Sequence, residues 1–341
     1  MAMRRDRRLV ELALASVLVI VASSEVAAQR EPRRPYAARL SPLFSLVSDD
    51  RVLLSPVHLV AGDSAIYLME MAERQLVAFS YDGRRLWAVG REGSGPGEHR
   101  VITSLALDHR TGDLWQYDLG NGRIQVRARD GRLKRSYPAR RTLFKVAPLA
   151  DGRFAGVPGG GGGTFLHVYD GASGDEVQQV PPPLEEYADP MFSFAASAWV
   201  APCPAGQLVI GYAYASYLHA LPSQLHPPVV RDAIDPVTPP RSVEVPLREG
   251  GRTLVGHRRA PDAKRATNSI TCDRARVLVL YVGSTSEPGR TVDVYRLTDL
   301  AYLGSFELPE PVLSISVHGD RLVALRLDPV PALFAWRVTW P

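Results

Sequence analysis

A glycine-rich run with flanking charge, a cysteine pair, a scatter of histidines and one basic stretch are the residues that could do chemistry. The run Gly90-Arg91-Glu92-Gly93-Ser94-Gly95-Pro96-Gly97-Glu98-His99 has the glycine density of a phosphate cradle. A cradle needs a helix after it, so that backbone N–H groups and the helix dipole face the anion. Here the continuation, Val101 to Asp108, alternates like a strand, and no Gly-Lys-Ser/Thr follows. The run therefore reads as a crossover from the outer strand of one sheet to the inner strand of the next. Its charged residues Arg91, Glu92, Glu98, His99 and Arg100 remain candidates for a binding face, because crossovers of this kind gather at one end of a ring of sheets.

The eight histidines include no pair at a metal-binding spacing such as His-x-x-x-His, and no Gly-x-Ser-x-Gly elbow is present. A metal on the axis of a ring would need several carboxylates or amides from different inner strands. The expected strand entries offer His58, Thr103, Lys145, Ser197, Asn268 and Glu310, with a single carboxylate. No catalytic residue, metal or cofactor is predicted. Cys203 and Cys272 each follow an expected inner strand in neighbouring repeats. In an exported chain that placement predicts a disulfide, with two separate thiols as the alternative. His257, Arg258 and Arg259 form a basic loop that is either a solvated face or a docking point for an acidic partner. Five glycines, Gly159 to Gly163, read as a hairpin tip, because glycine loses the most conformational freedom on ordering.

The elements that must position these residues are short strands in repeat. Ala65 to Gly90 and Asp113 to Tyr137 each run strand, polar turn, strand, Asp-Gly, strand. Asp82-Gly83 and Asp130-Gly131 lie 48 residues apart, and Asp170-Gly171 follows 40 residues later. A period of that size filled with strands points to four-stranded sheets arranged radially. The chain holds 28 Gly and 28 Pro among 341 residues, with 45% hydrophobic residues, which suits many strands around a large core. The fold class is all-β, a six-bladed β-propeller. The sixth blade has three strands (Leu313 to Val317, Leu322 to Arg326, Ala332 to Val338), and Leu40 to Leu54 holds strand-like residues that the first blade does not need. The N-terminal strand is therefore expected to complete the last blade, which pairs two otherwise exposed edges. The fourth blade is expected to loosen into an irregular Pro-rich insertion over 222–265, where prolines argue against a seventh blade.

Residues Gly90 to Glu98, then Leu105-Ala106-Leu107-Asp108, Leu114-Trp115-Gln116-Tyr117-Asp118 and Asn121-Gly122-Arg123-Ile124-Gln125-Val126, follow one another in a recognisable order. That order resembles the repeat of NHL-type β-propellers, and more closely the exported bacterial six-bladed propellers related to them. The match covers about 50 residues. It departs from the pattern at His99, where an aromatic is usual, and it lacks the Pro that commonly precedes the inner strand. The resemblance implies the fold; function lies in sites grafted on it.

The first 28 residues have the three parts of a secretory signal peptide. They are a basic start to Arg8, an apolar stretch from Leu9 to Ala22, and small residues before a cut after Ala28. Residues 29–39 are expected to be a flexible lead-in, and 40–341 a single propeller domain. The apolar stretch is short for a membrane span, and no cysteine stands at the cut. The expectation is an exported protein, periplasmic or secreted, that is not a lipoprotein and has no stable membrane insertion. The formal net charge of +4 falls closer to neutral once the arginines of the first eight residues are removed, too little for a nucleic-acid partner. The predicted role is a binding scaffold for a protein, small-molecule or glycan ligand. The rival readings are a propeller hydrolase or lyase with its site over the axial channel, and a purely structural envelope protein.

Overall fold

The computed structural model describes residues 32–47, 53–158, 164–182, 197–225, 227–237, 240–249, 252–283 and 287–341. The expected signal peptide and the Gly159 to Gly163 tip lie outside these residues. The described residues begin with a short lead-in and β1 (Arg39–Val47), and the sheets then follow in order. Blade 1 is β2 (Pro56–Ala61), β3 (Ile66–Glu70), β4 (Gln75–Phe79) and β5 (Arg85–Val89). Blade 2 is β6 (Ile102–Leu107), β7 (Leu114–Asp118), β8 (Arg123–Arg127) and β9 (Leu133–Pro138). Blade 3 is β10 (Leu143–Pro148), β11 (Phe154–Pro158), β12 (Leu166–Tyr169) and β13 (Glu176–Val180). Blade 4 is β14 (Ala198–Pro202), β15 (Leu208–Tyr212), β16 (Tyr217–Leu221) and β17 (Val229–Asp232). A separate hairpin, β18 (Ser242–Glu249) and β19 (Arg252–Arg259), precedes blade 5. Blade 5 is β20 (Thr267–Cys272), β21 (Arg276–Tyr281), β22 (Thr291–Arg296) and β23 (Tyr302–Glu307). Blade 6 is β24 (Ser314–His318), β25 (Arg321–Arg326), β26 (Ala332–Thr339) and, outermost, β1.

The closure matches the expectation. β1 runs antiparallel to β26 from Arg39 opposite Thr339 to Val47 opposite Ala332, so this N-terminal strand covers the edge of the last blade. The core explains why the strands read as near-continuous apolar runs. Side chains alternate across a strand, and each blade is sandwiched between two neighbours. On β21, Leu278 and Leu280 pack towards blade 6, while Val277 and Val279 pack towards blade 4. Six apolar clusters result, one at each interface between blades. Outer strands face water on one side, and β5 and β13 are correspondingly half exposed.

The inner strands meet one another edge to edge, where no ladder satisfies their backbones. Hydroxyls bridge the gap. Ser269 Oγ donates to Ile315 O at 3.1 Å and accepts from Ile315 N at 3.2 Å. Ser104 does the same with Val146, Thr271 accepts from Val317 N, and Ser316 accepts from Ala61 N. Buried backbone groups must find such partners, which accounts for the Ser and Thr in otherwise apolar inner strands.

Three features depart from the sequence reading. The stretch 222–265 was expected to be irregular, yet it holds β17 and the β18–β19 hairpin. A two-stranded hairpin leaves both outer edges unpaired, so Pro246, opposite Val255, costs no ladder bond in a central strand. The lead-in is the second departure. From residue 32 it lies along β23: Tyr36 N donates to Ser305 O and Ser305 N to Arg34 O. Arg33 sits in the ring wall, donating to both oxygens of the buried Asp293 at 2.9 and 3.1 Å, with its guanidinium 4.0 Å from the Tyr281 ring centroid. Burial works against its charge, but Asp293 outweighs it and holds the Arg33 pKa above its usual value. The third departure is the Asp-Gly series. Gly83 and Gly131 turn their hairpins with φ of 85° and 88°, whereas in blade 3 the left-handed residue is Gly174. Gly171 is needed for a different reason, since a Cβ there would meet Gly152 O.

Candidate functional site

The seam from Gly90 to Arg100 is tied down by its own blade. Arg91 pairs with Glu98 at 2.7 Å, and Glu98 also accepts from Gly95 N at 2.6 Å. These contacts hold the Glu98 carboxyl below its usual range, the backbone donor first and Arg91 second. His99 is buried and its Nδ1 lies 2.8 Å from Arg74 O. Gly90 makes room for that ring, since a Cβ there would lie 2.5 Å from it. Arg123 donates to Ser94 O, Gly95 O and Glu98 O, Arg127 to Gly97 O, and Asn121 to Gly93 O. Burial lowers the Arg127 pKa to about 10, helped by Arg123. Glu98 and His99 are thus internal partners of the seam, while Glu92 and Arg100 stand exposed beside it.

The basic loop belongs to β19. His257 and Arg258 are exposed, and Arg259 stacks 3.4 Å from the Tyr214 ring centroid, with Arg265 at 5.8 Å from the same ring. The hairpin enters blade 5 through β20, as the seam enters blade 2 through β6, so both groups stand at the end where inner strands begin. Cys203, just after β14, and Cys272, at the end of β20, are joined in a disulfide that ties blade 4 to blade 5.

The inner strands enclose an axial channel with about 300 Å³ of room. Four of them carry a register irregularity at their entry: Val57/Val60, Ile102/Ser104, Leu143/Lys145 and Thr267/Ser269. A bulge re-aims side chains, and these place His58, Thr103, Lys145 and Asn268 around the same end of the axis. His58 takes a φ of 55°, a conformation that costs a non-glycine residue energy. Lys145 Nζ donates to Thr103 O at 2.6 Å and lies 5.1 Å from the Trp199 ring centroid. Burial brings its pKa down to about 8. Burial and the nearby Lys145 hold His58 down at about 3. In blade 6 the entry residue is Ser314, where the sequence suggested Glu310; β24 starts at Ser314, and Glu310 instead pairs with Arg326 at 3.3 Å. The lining therefore contains Lys145 and Arg265 and, among the described residues, no carboxylate.

At the far end the channel meets a bowl of about 730 Å³ built from the turns that follow the inner strands. Because β6 enters at Ile102 and leaves at Leu107, this end is opposite the seam. Five arginines line it, Arg110, Arg129, Arg274, Arg276 and Arg321, against Asp63, Asp273 and Asp320. Asp273 is taken by Arg276 at 2.7 Å, and Asp320 lies 3.3 Å from Arg337. Arg321 stacks on Tyr81, whereas Arg129 and Arg274 project exposed. His109 and His318 stack with centroids 5.7 Å apart, and His109 lines both spaces. Burial first, then His318, lowers the His109 pKa to about 4.

The bowl arginines escaped the sequence reading. The signal that could have found them is the Asp-x-Arg or Asp-x-x-Arg turn after an inner strand, as in Asp108–Arg110 and Asp273–Arg276. In both, the carboxylate accepts turn N–H groups and braces the arginine. Among the described residues, no three His, Cys, Asp or Glu come together as metal ligands.

Residues 43–124 match the model of a protein family described as "6-bladed beta-propeller". No curated protein matches the chain. Among solved structures, it is similar to a "Putative exported protein" from Bacteroides fragilis, with 11% identity over 91% of this chain and 98% of that one and a TM-score of 0.56. It is also similar to a member of a domain-of-unknown-function family from Bacteroides vulgatus (10% identity, 89% and 99% covered, TM-score 0.54). The Cps50 (Swd1) β-propeller domain of Myceliophthora thermophila is a third (13% identity, 88% and 100% covered, TM-score 0.51). Identities this low speak for shape alone. Six sheets closed into one ring, with a family match running from the closing strand into the second blade, identify the chain as a six-bladed β-propeller.

Proposed function

We propose that the chain is an exported binding module whose ring presents the arginine-lined bowl to an anionic partner. The observation that carries this reading is the bowl itself: a concave mouth with five arginines, of which Arg110, Arg129 and Arg274 are exposed, Arg110 beside Asp108. A concave site lined by one sign of charge focuses the field and concentrates counter-charged ligands, and arginine forks match carboxylate, sulfate and phosphate oxygens. Export is supported by the N-terminal pattern, by the disulfide, which persists in oxidising compartments, and by the similarity to an exported-type protein. No helix among the described residues is long and apolar enough to cross a membrane.

The test is capture from an envelope extract by immobilised wild-type chain and by the Arg129→Glu/Arg274→Glu variant. A partner held by the wild type, lost with the variant and released as salt rises supports the reading. Retention of the same set by both chains rules the bowl out.

A further inference from the structure

We propose that the axial channel is itself a binding site, for a small organic carboxylate with an apolar body, seated with its head on the Lys145 ammonium. This site is separate from the bowl and stands without it. Lys145 lies inside the ring, yet keeps surface open to the channel. A buried cation is costly unless it is paired. Among the described residues it meets one carbonyl, Thr103 O, and one aromatic face, Trp199, and the channel lining supplies no counter-charge. Among the described residues, the lining residues Asn268 and Ser314 at the same entry each have a buried atom without a partner, Oδ1 and Oγ, and Thr103 Oγ1 beside them is another. A carboxylate has lone pairs for several donors. Lys145, the Ser314 hydroxyl and the Asn268 amide turned to present its N–H groups together suit one. Below that polar collar the wall is apolar, with Val57, Leu59, Leu105, Ile270 and Ile315 among its lining. Ligand sites commonly have this composition, apolar walls with a few convergent polar groups. The channel room of about 300 Å³ accommodates a short aliphatic or single-ring acid. The bulges and the left-handed His58 supply the second line of argument. Strain and bulges collect where side chains must be aimed at a site, and here they aim at one level of the channel.

The experiment uses the full chain, with hexanoate, 1-hexanol and inorganic phosphate as probes, read by calorimetry and by NMR of ¹³Cε-labelled lysine. Only three lysines occur (Lys134, Lys145 and Lys264), so the Lys145 signal is assignable by one substitution. Hexanoate is expected to bind at least tenfold more tightly than 1-hexanol. It should move the Lys145 titration upwards from about 8 by a unit or more, because an anion stabilises the charged amine. By the same linkage, its affinity falls as pH rises past that value. Lys145→Met should weaken binding at least tenfold without lowering the thermal midpoint, since it removes a buried charge and keeps the volume. If that variant does not fold, the wild-type Lys145 titration decides alone. Equal affinity for hexanol, an unmoved Lys145 signal, or phosphate acting as well as hexanoate overturns the proposal. So does loss of hexanoate binding in the Arg129→Glu/Arg274→Glu chain, which would place the site in the bowl.

Discussion

At the scale of the residue, the ring depends on side chains that a hydropathy reading passes over. Ser269 is the clearest, because one hydroxyl serves both the N–H and the C=O of Ile315 in the next blade. Ser269→Ala leaves two buried backbone groups without that partner. The expected loss is about 1–3 kcal/mol of unfolding free energy, far more than the small volume change alone would cost. Urea denaturation measures it, and a loss below about 0.5 kcal/mol would mean that water or backbone relaxation replaces the hydroxyl. Residues of this kind are poorly legible in sequence because a Ser in an apolar strand has no periodic signature. Lys145 is visible in sequence as an inner-strand entry, but whether it meets an acid is not, since the repeat pattern suggests Glu310 as the sixth entry while β24 starts four residues later, at Ser314.

At the scale of the element, the strands were legible and the connections were not. Strand runs follow from the two-sided burial of each blade, and the Asp-Gly turns mark blades 1 and 2 because a left-handed glycine is needed there. The N-terminal closure followed from counting edges. The docking of residues 33–36 on β23 did not, since its anchor, Asp293, is 260 residues away in sequence. The disulfide joins the turn after β14 to the last residue of β20, a link that the repeat placement of the two cysteines suggested while leaving two separate thiols open. It closes a 69-residue separation containing the rest of blade 4 and the β18–β19 hairpin. In the chain-entropy account a loop of that length is worth about 4 kcal/mol. Cys203→Ala/Cys272→Ala is therefore expected to lose about that much in urea unfolding. The intact wild-type mass should stay unchanged under alkylation unless reductant is present. A loss under about 1 kcal/mol would show that the blade 4–blade 5 cluster holds without the bond.

At the scale of the whole molecule, a closed ring buries titratable groups that a small open sheet would leave wet, and stability must then depend on pH. Burial first, and Lys145 or His318 second for the two at the channel, hold His58 at about 3, His109 at about 4 and His219 at about 3. In the unfolded chain each takes a proton near 6.5. Above that value all three are neutral in both states and contribute nothing to the pH dependence. As pH falls through 6.5 the unfolded chain gains protons that the folded ring refuses, so stability declines until the folded values are reached. Each histidine contributes a slope of up to about 1.4 kcal/mol per pH unit inside that window. The carboxyls held low, such as Asp151 and Glu176, weaken the fold only as pH falls below the ordinary carboxyl range, so the interval from about 6 to 5 isolates the histidines. Unfolding free energies from urea across that interval should therefore fall with a slope approaching three protons from these three, and His99 and His318, which burial also holds below their usual value, add to it. His219→Leu, in a fully buried position beside Phe165 and Tyr212, should reduce the slope by one proton and raise the midpoint at pH 5. A wild-type slope below one proton would show that the ring opens far enough to hydrate these histidines while still folded.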